Sequence, residues 1–277
     1  MKYGFVLPSG DARTAADFAE AAEHAGWDGF FVWEPLYGWD AWVLLTAAAM
    51  RTSRIRLGTM ITPVSRMRPW KLASETLTVD HLSGGRVTLS VGLGATDIGF
   101  ADFGEATDRR VRAELLDEGL AILQALWAGK PVSHAGKHYR VEAEHLHYPP
   151  PPPVQQPRIP IWVVGAWPFE KSMRRAMRFD GIIPSAKGDD GDFRQVTPDE
   201  LRDMKRWIDE RRQDAAFDII VEGTTSTSNR ERAAAKVRPW ADAGATWYLE
   251  ARWGVQEGAT TMDDVRRRLE AGPPRTD

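Results

Sequence analysis

Residues 55–94 read IRLGTMITPVSRMRPWKLASETLTVDHLSGGRVTLSVGLG and contain one complete unit of the fold. Ile55–Val64 is apolar and rich in branched residues, which predicts a strand. Pro69 opens a helix that runs to Leu82 and stops at Gly84–Gly85. Proline suits a first helical turn, where its missing N–H is not needed, and glycine suits the residue past the last turn. Arg86–Gly94 then predicts a second strand. Strand, helix and strand in so short a span describe two parallel strands joined by a crossover helix.

The same alternation extends in both directions. Toward the N-terminus, Met1–Pro8 and Asp28–Glu34 read as strands, followed by helices after Thr14 and over Asp40–Arg51. Thr14 with Asp17 forms a candidate capping box for the first of these, and Gly26 its stop. Toward the C-terminus a long helix covers about Arg110 to Ala128, with Leu115, Leu116, Leu120, Leu123 and Trp127 on a broad apolar stripe. Residues 130–158 interrupt with a hairpin (VSHAGKHYRVEAEHLHY) and a proline run, Pro149–Pro153, expected as an extended surface connector. Strands at Ile159–Gly165, Asp180–Ser185, Phe217–Gly223 and Thr246–Arg252 then alternate with helices at Phe169–Phe179, from Thr197, at Asn229–Ala243 and at Thr261–Ala271. Eight strand–helix units of unchanging character predict an α/β (β/α)8 TIM barrel over 1–277, one domain, with a short hairpin and proline-rich insertion between units 4 and 5. An open doubly wound sheet is the competing arrangement.

Composition removes several function classes. Among 277 residues there is no cysteine, which excludes disulfides, thiolate metal sites, iron–sulfur clusters and cysteine nucleophiles. A formal net charge of -3 gives no reason to expect a nucleic-acid partner. No apolar run approaches a membrane span, and Met1–Gly10 lacks the features of a secretory leader, so a cytoplasmic location is expected.

In such a barrel, function sits where the strands end. Those ends carry Glu34-Pro35, Gly58-Thr59-Met60, Gly92-Leu93-Gly94, Gly165-Ala166-Trp167, Glu222-Gly223 and Glu250-Ala251-Arg252-Trp253. Small residues beside aromatic ones, with few strong nucleophiles, suit a flat aromatic ligand, for which indoles offer π-faces and glycines close backbone approach. Six of the twelve tryptophans (Trp33, Trp39, Trp42, Trp70, Trp167 and Trp253) fall at or just past strand ends. Gly165-Ala166-Trp167 precedes a helix and is a candidate phosphate cradle, although a bare strand end reads the same way. Gly92-x-Gly94 lacks the dinucleotide spacing and reads either as close approach to a ring or as a strand-end turn. Glu34 and Glu250 are the candidate catalytic acids, with Glu222 a third carboxylate at a strand end; pairing with arginines is the structural alternative. His134, His138, His145 and His147 lie in the insertion with no neighbouring acid at a metal spacing and are expected to be solvated, so no metal is expected. Ala186–Phe193 has the glycines and polarity of a lid or of an ordinary loop.

The 55–94 run resembles the bacterial luciferase-like superfamily of flavin- and deazaflavin-dependent oxidoreductases, through its GT-x-x-TP strand end, the proline-led helix closing on LSGGR, and the glycine-rich strand end behind it. LLDEGLAILQALWAGKPVSHAGKHY (115–139), PRIPIWVVGAW (157–167), RFDGIIP (178–184) and AGATWYLE (243–250) extend the resemblance along the chain. The chain is similar to compact members called luciferase-like monooxygenases. The resemblance implies FMN or the 5-deazaflavin coenzyme (factor 420) across the strand ends, supporting oxygenation of a small organic substrate or hydride transfer. It implies a non-proline cis peptide near Thr59–Met60, ring contacts at Gly92 and Gly94, a phosphate at Gly165, Ala166 and Trp167, an acid at Glu34 and an indole at Trp39. Pro35 stands where some deazaflavin dehydrogenases have a histidine, and the fifth strand end lacks the paired glycines of relatives. A homodimer is also implied, without a heptad or exposed stripe to show it. A barrel hydrolase using Glu34 with Glu222 or Glu250, and a non-catalytic flavin-binding protein, are the alternatives.

Overall fold

The computed structural model describes residues 1–189, 192–212, 216–255 and 258–276. Its parallel strands are β1 (Lys2–Leu7), β2 (Gly29–Val32), β3 (Arg56–Thr59), β4 (Val87–Gly92), β5 (Ile161–Trp167), β6 (Gly181–Lys187), β7 (Asp218–Gly223) and β8 (Trp247–Ala251). Each pairs with the next, and β8 returns to β1, where Gly4 sits opposite both Gly29 and Leu249. The sheet closes, which excludes the open doubly wound alternative. Helices α1 (Ala12–His24), α2 (Ala41–Arg51), α3 (Pro69–Ser83), α4 (Arg109–Trp127), α5 (Glu170–Ala176), α6 (Pro198–Asp209), α7 (Arg230–Asp242) and α8 (Met262–Glu270) follow the strands in turn. Among the described residues no helix is long and apolar enough to cross a membrane.

Most element boundaries follow the sequence punctuation. Thr197–Glu200 and Thr261–Asp264 close the first turns of α6 and α8 as reciprocal capping boxes. The first helix starts earlier than expected. Asp11, not Thr14, is its N-cap, and its carboxylate accepts from both the N–H and the hydroxyl of Thr14 at 2.8 Å. A carboxylate at that place also suits the positive end of the helix dipole. Strand β3 is shorter than expected: it stops at Thr59, a cis peptide joins Met60 to Ile61, and Thr62–Pro63 resumes pairing beside Val91–Gly92.

The LSGGR signature is a structural joint. Gly84 and Gly85 both take positive φ (67° and 86°), which lets the chain reverse past α3. Arg86 then donates to the carbonyls of Ala49, Thr52, Ile55 and Ser83 and to the Thr52 hydroxyl. One guanidinium thereby satisfies carbonyls at the end of α2, the start of β3 and the end of α3, below the barrel and away from the strand ends.

After α4 the strands Val132–Ala135 and Arg140–Ala143 form an antiparallel hairpin. It is pinned to α4 by two carboxylates one turn apart. Glu118 accepts from the backbone of Lys137, His138 and Tyr139 and lies 3.3 Å from His134 Nε2, while Glu114 lies 2.9 Å from His138 Nε2. His134 and His138 are therefore partners of α4 carboxylates rather than free, solvated histidines. The proline run is tied down at its end by Asp80, which accepts from Val154 N and Gln155 Nε2 at 2.8 Å.

Strand alternation divides the barrel core into two faces. Val6, Phe31, Trp162, Ile183, Ile220, Trp247, Leu249 and Ala251 pack together in the lumen. The alternate residues, such as Phe5, Val32, Leu57, Val163, Ile182 and Tyr248, pack outward against the helices. Phe31, Trp162 and Trp247 plug the lumen with ring centroids 5.2 to 6.1 Å apart, stacked and edge-on.

Candidate functional site

Above the aromatic plug the lumen changes character. Two residues on from the inward Val164, Ile183, Ile220 and Leu249 come Ala166, Ser185, Glu222 and Ala251, which also point inward by the period of the strand. With Gly92 on β4 they make a tier of mostly small side chains at the mouth. A Cβ on Gly92 would lie 2.8 Å from Ile61 Cδ1 and 2.9 Å from Val164 Cγ2, so this glycine admits the cis-peptide bulge beside β4. Gly94, at φ +76°, turns the chain away, and a Cβ there would meet Pro63 at 2.8 Å. Behind them Arg112 of α4, 7% exposed, donates from Nη1 to the carbonyls of Leu93 and Gly94 at 2.8 Å. Its Nε has no partner.

Glu34 lies just past β2 and is buried at 8% exposure. Its Oε2 accepts from the Thr62 hydroxyl at 2.6 Å, and its Oε1 lies 3.8 Å from Arg66 Nη2. Arg66 is itself held by the Pro35 carbonyl at 2.7 Å, with its Nε unpartnered. Burial pushes the Glu34 carboxyl up to about 7, against the opposing pull of the Thr62 hydroxyl and the Arg66 charge. A cavity of about 210 Å³ opens beside it, lined by Glu34, Trp39, Arg66, Arg68, Lys71 and Glu75 among others. Trp39 is 60% exposed on the loop that roofs this cavity.

The two other strand-end carboxylates differ by which way they point. Glu222 faces the mouth, accepts from Trp253 Nε1 at 3.2 Å and from the Gln195 side chain, and is pushed up by burial. Glu250 sits between the inward Leu249 and Ala251 and therefore points outward. It is fully buried, accepts from Thr225 N and Oγ1, and lies 3.2 and 3.3 Å from the Nε atoms of Arg252 and Arg268. The structure thus gives Glu250 the arginine pairing of its structural alternative, on the helix side of the barrel. Glu250 thus stands apart from the lumen-facing side chains at the mouth. Of these two, Glu222, not among the favoured acids, is the one that faces the lumen.

The remaining candidates divide similarly. Met60 belongs to the lumen cluster. Thr59 is fully buried and bonds to Ser90 and Thr62 rather than facing the mouth. Gly165 and Trp167 point outward: a Cβ on Gly165 would lie 2.4 Å from Ile182 Cδ1, and Trp167 packs edge-on to Trp207 of α6. The Ala166 N–H donates to the Ser172 hydroxyl at 2.9 Å, and α5 begins only at Glu170. Of the six tryptophans placed at strand ends, Trp39 and Trp253 adjoin the mouth. Trp42 is core, Trp33 donates to the Pro8 carbonyl, and Trp70 packs edge-on against Tyr139 of the hairpin. Part of the lid candidate, Asp190 and Gly191, lies outside the described residues. Among the described residues no group of three or more histidine or acidic side chains could hold a metal.

Comparison with known proteins places this geometry. The family model for luciferase-like monooxygenases matches residues 3–274. An F420-dependent glucose-6-phosphate dehydrogenase of Beutenbergia cavernae is 32% identical over 186 residues, 64% of this chain and 54% of that protein. A Mycobacterium tuberculosis protein provisionally described as a coenzyme F420-dependent oxidoreductase is 35% identical over 145 residues, 51% of this chain and 41% of its own length. The chain therefore spans only about half the length of these curated relatives. Among solved structures, the coenzyme F420-dependent tetrahydromethanopterin reductase of Methanopyrus kandleri superposes with a TM-score of 0.74 at 16% identity, over 98% of this chain and 96% of that one. The FMN complex of a type II Baeyer–Villiger monooxygenase from Pseudomonas putida gives 0.71 at 15% identity, over 99% and 98%. These two likenesses establish the shared barrel.

Proposed function

Because this chain belongs to the luciferase-like monooxygenase family, we propose that it is an oxidoreductase that holds the 5-deazaflavin coenzyme or FMN across its barrel mouth and applies it to a small organic substrate. The observation that carries the reading is the mouth itself. Its upper lumen tier is small, and buried donors beside it have no partner: Ser65 Oγ, Ser90 Oγ, Arg66 Nε and Arg112 Nε. Unpaired buried polar atoms are costly in an ordinary core, and a polar ligand at the mouth would give these four their partners. The residues present thus fit a flat, polar-edged ring. The Met60–Thr62 bulge, Gly92 and Gly94 would back it, Trp39 would flank it, and Arg66 and Arg112 would meet its polar edge.

The bound cofactor supplies the two-electron chemistry. The chain supplies position, exclusion of water and a proton. Glu34, whose carboxyl is raised to about 7, exists in both protonation states near neutral pH, as a general acid–base group should. The Glu34 carboxyl takes a proton from a substrate hydroxyl or returns one to a carbonyl oxygen, with the Thr62 hydroxyl 2.6 Å from its Oε2. Glu222, facing the mouth from β7, is placed to accept from a substrate donor.

The deazaflavin reading is supported by the coenzyme named for two relatives above 30% identity. The FMN reading is supported by a likeness of fold alone. Assays of the loaded protein with and without oxygen separate them: turnover of an alcohol–carbonyl pair without oxygen supports the first, and oxygen-dependent turnover supports the second. Bound cofactor that never turns over favours a binding protein.

A further inference from the structure

The Thr62 hydroxyl has one hydrogen but two neighbours, Glu34 Oε2 at 2.6 Å and Thr59 Oγ1 at 3.0 Å. Thr59 Oγ1 in turn lies 3.1 Å from the Ser90 carbonyl, which can only accept. Thr59 and Thr62 are fully buried, and Glu34 is 8% exposed. Three contacts thus share two threonine hydrogens. All three are made only when the Glu34 carboxyl brings the third hydrogen, donating to Thr62, which donates to Thr59, which donates to Ser90. When Glu34 is ionised, Thr62 turns its hydrogen to the carboxylate. Thr59 is then left with one hydrogen for two acceptors.

We propose that Thr62 and Thr59 are positioning residues that act with opposite sign on the proton affinity of Glu34. The Thr62 hydroxyl holds the ionised form by donating to it. Thr59 holds the neutral form, because it gives the Thr62 hydrogen somewhere else to go. The charged groups facing Glu34 come from other elements: Arg66 from the loop after β3, Asp40 from the cap of α2, Glu75 from α3 and, across the cavity, Arg68 and Lys71. Lys71 is paired with Glu75 at 2.5 Å. None of these bonds to Thr59 or Thr62, so removing either hydroxyl leaves the charges in place. The catalytic consequence rests on the role given to Glu34 above; the chain of hydroxyls does not.

The test is a ¹³C NMR titration of the cofactor-free protein labelled at glutamate carboxyls, with the Glu34 signal identified by its loss in Glu34→Gln. Thr62→Val raises the Glu34 midpoint by about one to two pH units, the equivalent of a lost hydrogen bond to a charged group. Thr59→Val lowers it by about half to one unit, the equivalent of a neutral hydrogen bond. Thr62→Ser and Thr59→Ser, which keep the hydroxyls, restore the wild-type midpoint. Burial alone would raise the midpoint in both valine variants, and a rise in both, or no shift in either, overturns the proposal. Should Thr62→Val fail to fold, the Thr59→Val direction decides alone: a fall supports the chain, and a rise or no change overturns it. Midpoints that move as stated in a protein whose turnover ignores Glu34 would overturn the catalytic role and leave the chain standing.

Discussion

Replacing Glu34 by glutamine exposes what it costs to keep this carboxyl where it is. Its folded value is raised from the ordinary 4.5 to about 7, chiefly by burial. Between those values the folded chain binds more protons at this site than the unfolded chain does, so stability falls as pH rises through the window. The shift from 4.5 to about 7 corresponds to about 3 kcal/mol lost in the wild type between about pH 4.5 and 7.5. Glutamine is nearly isosteric, donates to Thr62 through its amide as the neutral acid does through its hydroxyl, and does not ionise. Glu34→Gln is therefore more stable than the wild type near pH 8 by up to about 3 kcal/mol, and the advantage shrinks toward zero near pH 4.5. Urea unfolding of both proteins at a series of pH values reads the difference directly, because other titrating groups cancel between them. In the same variant turnover falls by about 10²-fold or more, as expected for loss of an acid–base group. A difference that stays flat with pH, or that favours the wild type at pH 8, would refute the view that burial holds this carboxyl near neutrality.

Four further outcomes follow from individual contacts. Arg268→Met leaves Glu250 buried with one arginine fewer and costs about 3–5 kcal/mol, read as a lower Tm, while the mouth geometry and substrate KM stay unchanged. Arg86→Ala removes the carbonyl partners of two helix ends and a strand start and costs about 3 kcal/mol or more by urea unfolding. Phe31→Ala opens a cavity between Trp162 and Trp247 and costs about 3–5 kcal/mol, with a change in tryptophan fluorescence as the plug loosens. Gly165→Ala crowds Ile182 and lowers stability by about 1–3 kcal/mol without weakening cofactor affinity; a selective loss of affinity would restore the phosphate to that strand end.

The order of strands and helices is legible because the chain marks its own boundaries. Pro69, Gly84–Gly85 and the Thr197 and Thr261 boxes each act locally, so sequence spacing alone locates them. Which way a side chain points within a strand is a different matter. Trp247–Ala251 is buried on both faces, and with no exposed face to alternate against, Glu250 reads the same as a lumen acid. Only the closed ring shows that Leu249 and Ala251 are inside and that the carboxylate between them meets Arg268 of α8. Glu222 follows from the same geometry, two residues past the inward Ile220. Trp162 and Trp247, away from the strand ends in sequence, fill the lumen floor beneath the mouth. Glu34 was visible as an acid at a strand end. Its near-neutral carboxyl comes from burial, partly offset by the Thr62 contact 28 residues on, which residue spacing does not encode.

The central claim is that the barrel mouth is a cofactor site, and equilibrium binding tests it most directly. Purified protein is titrated separately with the 5-deazaflavin coenzyme and with FMN while ligand fluorescence is followed. Saturable binding of at least one is predicted, weakened by about tenfold or more in Arg112→Met, which removes a buried cationic donor beside Gly92–Gly94. Failure of both ligands to saturate would contradict the account.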